Sequence, residues 1–219
     1  MNPAPLADTL VVMVDMLPLP HWTALASLDD DAVPLMSTAL LIARDEYPQL
    51  DAELYDTLVQ SHVEHLRREV DAIDLWPLKM AAVNRYLFDE LGYSGNHDEY
   101  YDPRNSYLNE VFERRLGNPI SLAMVQIEVA RRLGIPLAGV SFPGHFLVRL
   151  PVDDGVLVMD PFNGGRPLGV DELRERALVA GAGGGEQVGG GHLGDRTDGA
   201  GGTHRWRCFG WRSARPRVL

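Results

Sequence analysis

The chain has 219 residues, a formal net charge of −11 and one cysteine. Its length fits one domain of moderate size with a full core, and its acidity argues against nonspecific nucleic-acid binding by the body of the chain. No segment is apolar for long enough to cross a bilayer. The apolar run 10–14 follows no basic residue and is a poor signal peptide, so a reducing cytoplasm is the expected location.

Three helices are predicted in the first half of the chain, after an N-terminal extension over residues 1–21. Apolar residues recur there at intervals of three and four, so each helix would turn one apolar face towards a common core. A proline or a glycine stands at the end of the first and third of these runs. The predicted helices span residues 33–46, 51–75 and 76–91.

Two features near these helices resemble metal sites superficially. His62 and His65 have the spacing of two ligands on one helix face, but no third ligand stands at a recognisable spacing, so a solvated face is the favoured interpretation. Residues 96–102 are polar and acidic but lack the glycine and the alternating carboxylates of a calcium loop, and we interpret them as an ordered surface loop. No metal or other cofactor is predicted.

Residues 117–122, Gly-Asn-Pro-Ile-Ser-Leu, predict the start of a helix with a hydroxyl in its first turn. Asn118 suits the N-cap, Pro119 suits the first helical position, and Gly134 ends the apolar-periodic run that follows. Ser121 would lie among unpaired backbone N–H groups at the positive end of the helix dipole, where a developing oxyanion is stabilised. Serine is also common in first turns, so this position alone assigns no role.

Two alternating segments, 145–150 and 155–160, predict a β-hairpin closed by a four-residue loop. Symmetrical closure would pair His145 directly with Asp160 on one face. A carboxylate bound to one ring nitrogen fixes the histidine tautomer and leaves the other nitrogen free to accept a proton. If the helix packs against this face, Ser121 completes a Ser–His–Asp arrangement.

Each of these residues also has an ordinary structural interpretation. Ser121 can bond backbone groups of the first turn, and His145 can be a strand-end histidine satisfied by Asp160. Asp160 also precedes Pro161, a favourable position for a carboxylate that caps a turn. Their joint placement nevertheless gives a catalytic constellation, active or inherited, equal standing with the structural interpretation.

Five motifs follow one another in the second half of the chain: residues 92–96, 101–109, 114–122, 143–146 and 160–165. Together they resemble the SirB branch of the transglutaminase-like superfamily, over residues 22–178. The resemblance implies an α+β fold. A helical N-terminal half, 22–95, would precede a papain/transglutaminase-like core, 96–178, in which a helix carrying the nucleophile position packs on a small antiparallel sheet.

By this resemblance, Ser121 takes the position at which catalytic transglutaminases and related peptidases have cysteine. His145 and Asp160 take the other two triad positions, while Cys208 lies far outside the motif region. A site suited to a thiolate need not activate a serine, because its hydroxyl is not ionised by the same environment. A serine hydrolase or acyltransferase, a pseudoenzyme and a purely structural module all stay open. The pseudoenzyme, a binding or regulatory module, is favoured.

The resemblance also predicts a cleft. The loop 96–102 would form one wall of it, and Tyr101, Asn105 and Tyr107 become candidate ligand contacts, although a packing role fits them equally. Asn118 is the candidate residue for the oxyanion site of the cleft. The expected partner is a protein or a peptide.

From residue 179 to 219 the composition changes abruptly. Glycine dominates, and six arginines stand against three acidic residues, so this tail carries +3 while residues 1–178 carry −14. An RNA-binding arm and a flexible linker both fit. A disordered, frameshifted tail fits best, because it contains no lysine and interrupts a helix predicted from Val170. The resemblance further implies that a C-terminal tetratricopeptide-like region is missing.

Overall fold

The structure, a computed structural model, describes residues 21–29 and 32–182. It confirms the α+β fold: helices of the first half pack around one central helix, which lies in turn against a small antiparallel sheet. The predicted N-terminal extension, apart from residue 21, lies outside the described residues. So does the predicted tail, except that residues 179–182 continue the last helix.

Seven α-helices are found in the described part of the chain, and the predicted ones are among them. The third predicted helix is correct in extent, but only its first half is α-helical. Its second half, Arg85–Glu90, is a π-helix. Short 3₁₀ turns cover Pro103–Asn105 and Pro161–Asn163. The α-helices are α1 Trp22–Leu25, α2 Leu35–Glu46, α3 Ala52–Asp71, α4 Trp76–Asn84, α5 Leu108–Arg114, α6 Pro119–Arg132 and α7 Val170–Ala182.

Six strands form two sheets in these residues. A short parallel pair joins β1, Ser94–Gly95, to β2, Leu116–Gly117. The larger sheet is antiparallel, with the order β3-β4-β5-β6, so β3 and β6 are its edges. Its strands are β3 Ala138–Phe142, β4 His145–Val152, β5 Gly155–Asp160 and β6 Arg166–Leu168.

The predicted register of the hairpin is wrong by two residues. The observed turn contains only Asp153 and Asp154, because Val152 pairs directly with Gly155, whose φ of 151° favours glycine. Val148 therefore lies opposite Met159. A shift of two keeps every side chain on its predicted face, since side chains alternate with a period of two. It does place His145 diagonally across from Asp160 instead of directly opposite.

Helix α6 is the centre of the core. It contacts α2, α3, α4 and strand β4, and Leu122, Val125 and Val129 are buried among them. On the sheet side the core is completed by Val148, Leu150 and Met159, all buried. Burying each such side chain stabilises the fold by about 1.5–3 kcal/mol. The described residues include no helix with the length and apolarity needed to cross a membrane.

Gly95 provides the first test of this packing. A Cβ at Gly95 would lie 2.6 Å from ring atoms of Phe162 and 2.7 Å from its carbonyl oxygen. We expect Gly95→Ala to lower the free energy of unfolding by about 1–3 kcal/mol, because both ring and backbone must move. Urea denaturation measures this. The control is Gly169→Ala, whose Cβ would meet no atom within 4 Å; equal losses in both variants would contradict the prediction.

Candidate functional site

The first turn of α6 is closed by a reciprocal pair of hydrogen bonds. The Ser121 amide donates to Asn118 Oδ1 at 2.9 Å, and the Asn118 amide donates to Ser121 Oγ at 3.0 Å. This is a capping box, with Pro119 at the first helical position. The predicted N-cap and helix start are thereby confirmed. Two backbone N–H groups that a helix start leaves unpaired are satisfied.

The Ser121 hydroxyl is buried and bonded to backbone groups. Its side chain is 3% exposed, and its Oγ donates to the backbone carbonyl of Asn105 at 2.7 Å. Among the described residues its hydrogen bonds go to Asn105 and Asn118, and none goes to His145. The structure therefore does not join Ser121 to the other two triad positions, and its nucleophile role stays a prediction.

The other two positions do meet. His145 Nε2 lies 2.8 Å from Asp160 Oδ1, a contact that crosses the hairpin diagonally. Long side chains reach such diagonal neighbours. Asp160 is fully buried, whereas His145 is partly exposed. Because Nε2 is engaged, Nδ1 is the ring nitrogen that Asp160 leaves available.

Asp160 is also held by groups that the sequence analysis did not anticipate. It accepts hydrogen bonds from Asn163 Nδ2 at 2.7 Å and from Arg176 Nη1 of α7 at 3.0 Å. Burial by itself raises the pKa of Asp160, but the hydrogen bonds from His145, Asn163 and Arg176 outweigh it and hold that pKa well below its ordinary value. The sequence contained one signal for Arg176. It stands four residues after Glu172, the spacing of an ion pair on one helix face, and the two side chains do form that pair.

A cleft of about 410 Å³ opens beside His145. Residues 100–103, 118–120 and 144–146 line it, together with Ser106 and Ser141. The loop before α5, the first turn of α6 and the β3–β4 turn thus each supply one side. Tyrosine, proline, isoleucine and phenylalanine side chains make much of the lining apolar, which is typical of binding sites.

The predicted cleft residues divide into three groups. Tyr101, 93% exposed, and Asn118 line the cleft directly. Asn105 is buried behind the wall, where its Nδ2 donates to the carbonyls of Glu99 and Tyr100 and holds the loop in shape. Tyr107 does not line the cleft but lies edge-on against Tyr47, with ring centroids 5.4 Å apart.

Ile120 is the most exposed apolar residue among the cleft-lining residues of α6, and sequence reasoning missed it. It is 53% exposed and lines the cleft, although it directly precedes the buried Ser121. Successive helix residues point about 100° apart, so Ile120 is exposed in the cleft while Ser121 is buried. An isoleucine out of phase with the apolar stripe of α6 was the available signal.

Metal binding has no support in the described residues. No group of three His, Cys, Asp or Glu side chains comes together in residues 21–29 and 32–182. The predicted solvated face is wrong for His62, which is buried with Nδ1 3.1 Å from the Tyr86 hydroxyl. His65 stacks on the Tyr86 ring with centroids 4.6 Å apart. The two histidines pack on the same tyrosine.

The chain has recognisable relatives. Residues 53–188 match the model of the family described as transglutaminase-like superfamily. The chain belongs to the transglutaminase-like superfamily. The match runs past the predicted domain boundary at residue 178. It also agrees with the observed arrangement of α6 against a small antiparallel sheet.

Among the relatives of this transglutaminase-like chain is a "UPF0162 protein" of Xylella fastidiosa, 82% identical over 165 residues, which are 75% of this chain and 59% of the relative. A "UPF0162 protein" of Vibrio cholerae is 31% identical over 62% of this chain and 51% of its own length. "F-box only protein 21" of Mus musculus is 38% identical over 46% of this chain and 17% of its own length. The matched regions therefore cover only 51–59% of the length of these two bacterial relatives. No solved structure matches it.

Removing the Ser121 hydroxyl should cost stability. In Ser121→Ala the Asn105 carbonyl and the Asn118 amide both lose a partner, so we expect a loss of about 1–3 kcal/mol in the free energy of unfolding. Chemical denaturation measures it. Ser61→Ala is the matched control, because its exposed hydroxyl also donates to a backbone carbonyl, that of Leu58; this change should cost under about 0.5 kcal/mol. An unaltered Ser121→Ala protein would contradict the capping role.

Asp160→Asn tests the buried carboxylate. We expect a loss of about 1–3 kcal/mol at neutral pH, because the charged hydrogen bonds to a buried carboxylate are weakened while Arg176 keeps Glu172 as its ion partner. The folded pKa of Asp160 lies below its ordinary 3.8, so its contribution is complete above about pH 4 and is lost as the pH falls towards the folded pKa.

Denaturation at a series of pH values provides the measurement for Asp160→Asn. The difference in the free energy of unfolding between the wild type and Asp160→Asn should become smaller only below about pH 4. If it already becomes smaller between pH 7 and 5, the lowered pKa of Asp160 is refuted. Asp171→Asn is the control, because this carboxylate is fully exposed in its pair with Arg174; exposed pairs contribute less than about 1 kcal/mol.

Proposed function

We propose that this chain is a non-catalytic, SirB-type member of its superfamily, and that its cleft binds a protein or peptide in a regulatory role. The hydrogen bonding of Ser121 carries the proposal. A serine nucleophile needs a general base within about 2.6–3.2 Å of its hydroxyl. Here the hydroxyl donates to the Asn105 carbonyl and accepts from the Asn118 amide, so its proton and a lone pair are already engaged.

The composition of the cleft supports binding. Where the first turn of α6 faces the cleft, it presents Pro119 and Ile120, neither of which has a nucleophilic atom. Exposed apolar side chains beside a concave surface contribute affinity when a partner covers them. Because the chain has one cysteine, we expect this binding role in the reducing cytoplasm.

A serine hydrolase or acyltransferase is the alternative. The 2.8 Å contact of His145 with Asp160 is the one observation in its favour, since a carboxylate orients the imidazole of a triad. The alternative requires Ser121 to leave the capping box and to break its bond to Asn105. That rearrangement gives up about 1–3 kcal/mol of helix capping and buried hydrogen bonding.

Labelling with a fluorophosphonate separates the two functions. These reagents add covalently to serines that a general base activates. We expect the intact mass of the folded wild type to stay unchanged, as in the Ser121→Ala and His145→Ala controls, because the Ser121 hydroxyl makes no hydrogen bond to His145 among the described residues. A single adduct on Ser121 that disappears in His145→Ala would overturn the non-catalytic proposal.

A further inference from the structure

The loop wall of the cleft carries a connected group of aromatic rings. Tyr100 and Tyr101 are in edge contact, with ring centroids 5.1 Å apart. Tyr100 lies 5.7 Å from Phe162, and Phe162 lies 6.0 Å from His145, again edge-on. Both tyrosines are exposed. The electron-rich faces of such rings attract cations with about 0.5–2 kcal/mol each.

This wall is also acidic. Residues 96–105 contain three carboxylates and one arginine. Asp102 is paired with Arg104 at 2.7 Å and with Arg114 at 3.5 Å. Asp98 and Glu99, directly before the tyrosines, are exposed and make no ion pair with another described residue. Residues 1–178 contain 28 acidic and 14 basic residues. A basic partner would therefore complement the charge of this surface.

The third observation is the open edge of the larger sheet. Strand β3, Ala138–Phe142, is an edge strand without a charged residue or a proline, and such edges are ready to pair with another chain. Within the described residues its backbone bonds only to β4. Ser141 is exposed and lines the cleft. The open edge and the cleft are therefore one continuous surface.

We propose that this surface binds an extended, basic segment of a partner protein. The backbone of the segment pairs with β3, and a lysine or arginine side chain enters the cleft against Tyr100 and Tyr101. Main-chain pairing supplies affinity in this mode of recognition, and the side-chain pocket supplies specificity. The inference rests on the proposed function, because it names the class of peptide that the cleft takes.

Selection from a displayed library of random nine-residue peptides tests the basic side chain. The library is selected on the wild type, and the retained pool is then measured on Ile120→Arg, which obstructs the cleft at an exposed position. We expect a pool enriched in lysine or arginine at one position. Its affinity should fall about tenfold in Tyr101→Ala and in the double variant Asp98→Asn/Glu99→Gln. Asp153→Asn/Asp154→Asn removes the same charge from the exposed β4–β5 turn and should change it less than about twofold.

Hydrogen exchange of the complex tests the strand pairing. With one selected peptide bound, the amides on the open side of β3 should exchange at least about tenfold more slowly, because they become hydrogen-bonded. The other edge strand, β6, is the internal control and should be unchanged.

The outcomes distinguish the inference from the proposed function. A pool that binds the wild type but not Ile120→Arg, without a basic preference or without protection of β3, overturns the inference and leaves the cleft a peptide site. If no pool prefers the wild type to Ile120→Arg, the proposed function fails and the inference fails with it.

Discussion

The hydrogen bonds between the first turn of α6 and the loop before α5 hold the site in shape. The carbonyl of Asn105 accepts from both the Ser121 hydroxyl and the Asn118 amide, and the Asn105 side chain fastens the carbonyls of Glu99 and Tyr100. A buried polar network of this kind is rigid when every member is satisfied. One wall of the cleft is thereby attached directly to the central helix of the core.

The same bonds give Ser121 a structural role, which is what the proposed binding function requires of this residue. Ser121 is buried in the capping box of α6, and its neighbour Ile120 is exposed in the cleft. The Asp160 carboxylate contacts His145 and also holds the turn at Phe162 and the helix α7. Ser121 and Asp160 therefore each have a structural role in the fold.

Much of the fold followed from the sequence, because helix periodicity and caps are local. Asn118, Pro119 and Gly134 bounded α6 correctly, and alternation assigned the faces of β4 and β5. The register was not predictable from loop length, since a turn at Asp153 and Asp154 and a longer loop both satisfy the alternation. The partner of Ser121 was also out of reach, because Asn105 lies 16 residues away and the contact is made through a backbone carbonyl.

The carboxylate of Asp160 has one further consequence. It receives Arg176 from α7 on one oxygen and His145 on the other. A movement of α7 that withdraws the guanidinium changes the charge balance felt by the imidazole at the cleft. Thermodynamic coupling is reciprocal. If breaking the bond between Asp160 and Arg176 of α7 changes the strength of the Asp160–His145 bond, then an occupant that changes the Asp160–His145 bond changes the Asp160–Arg176 bond by the same free energy. An occupant that acts on His145 in this way would thus be energetically linked to α7, a helix that does not line the cleft.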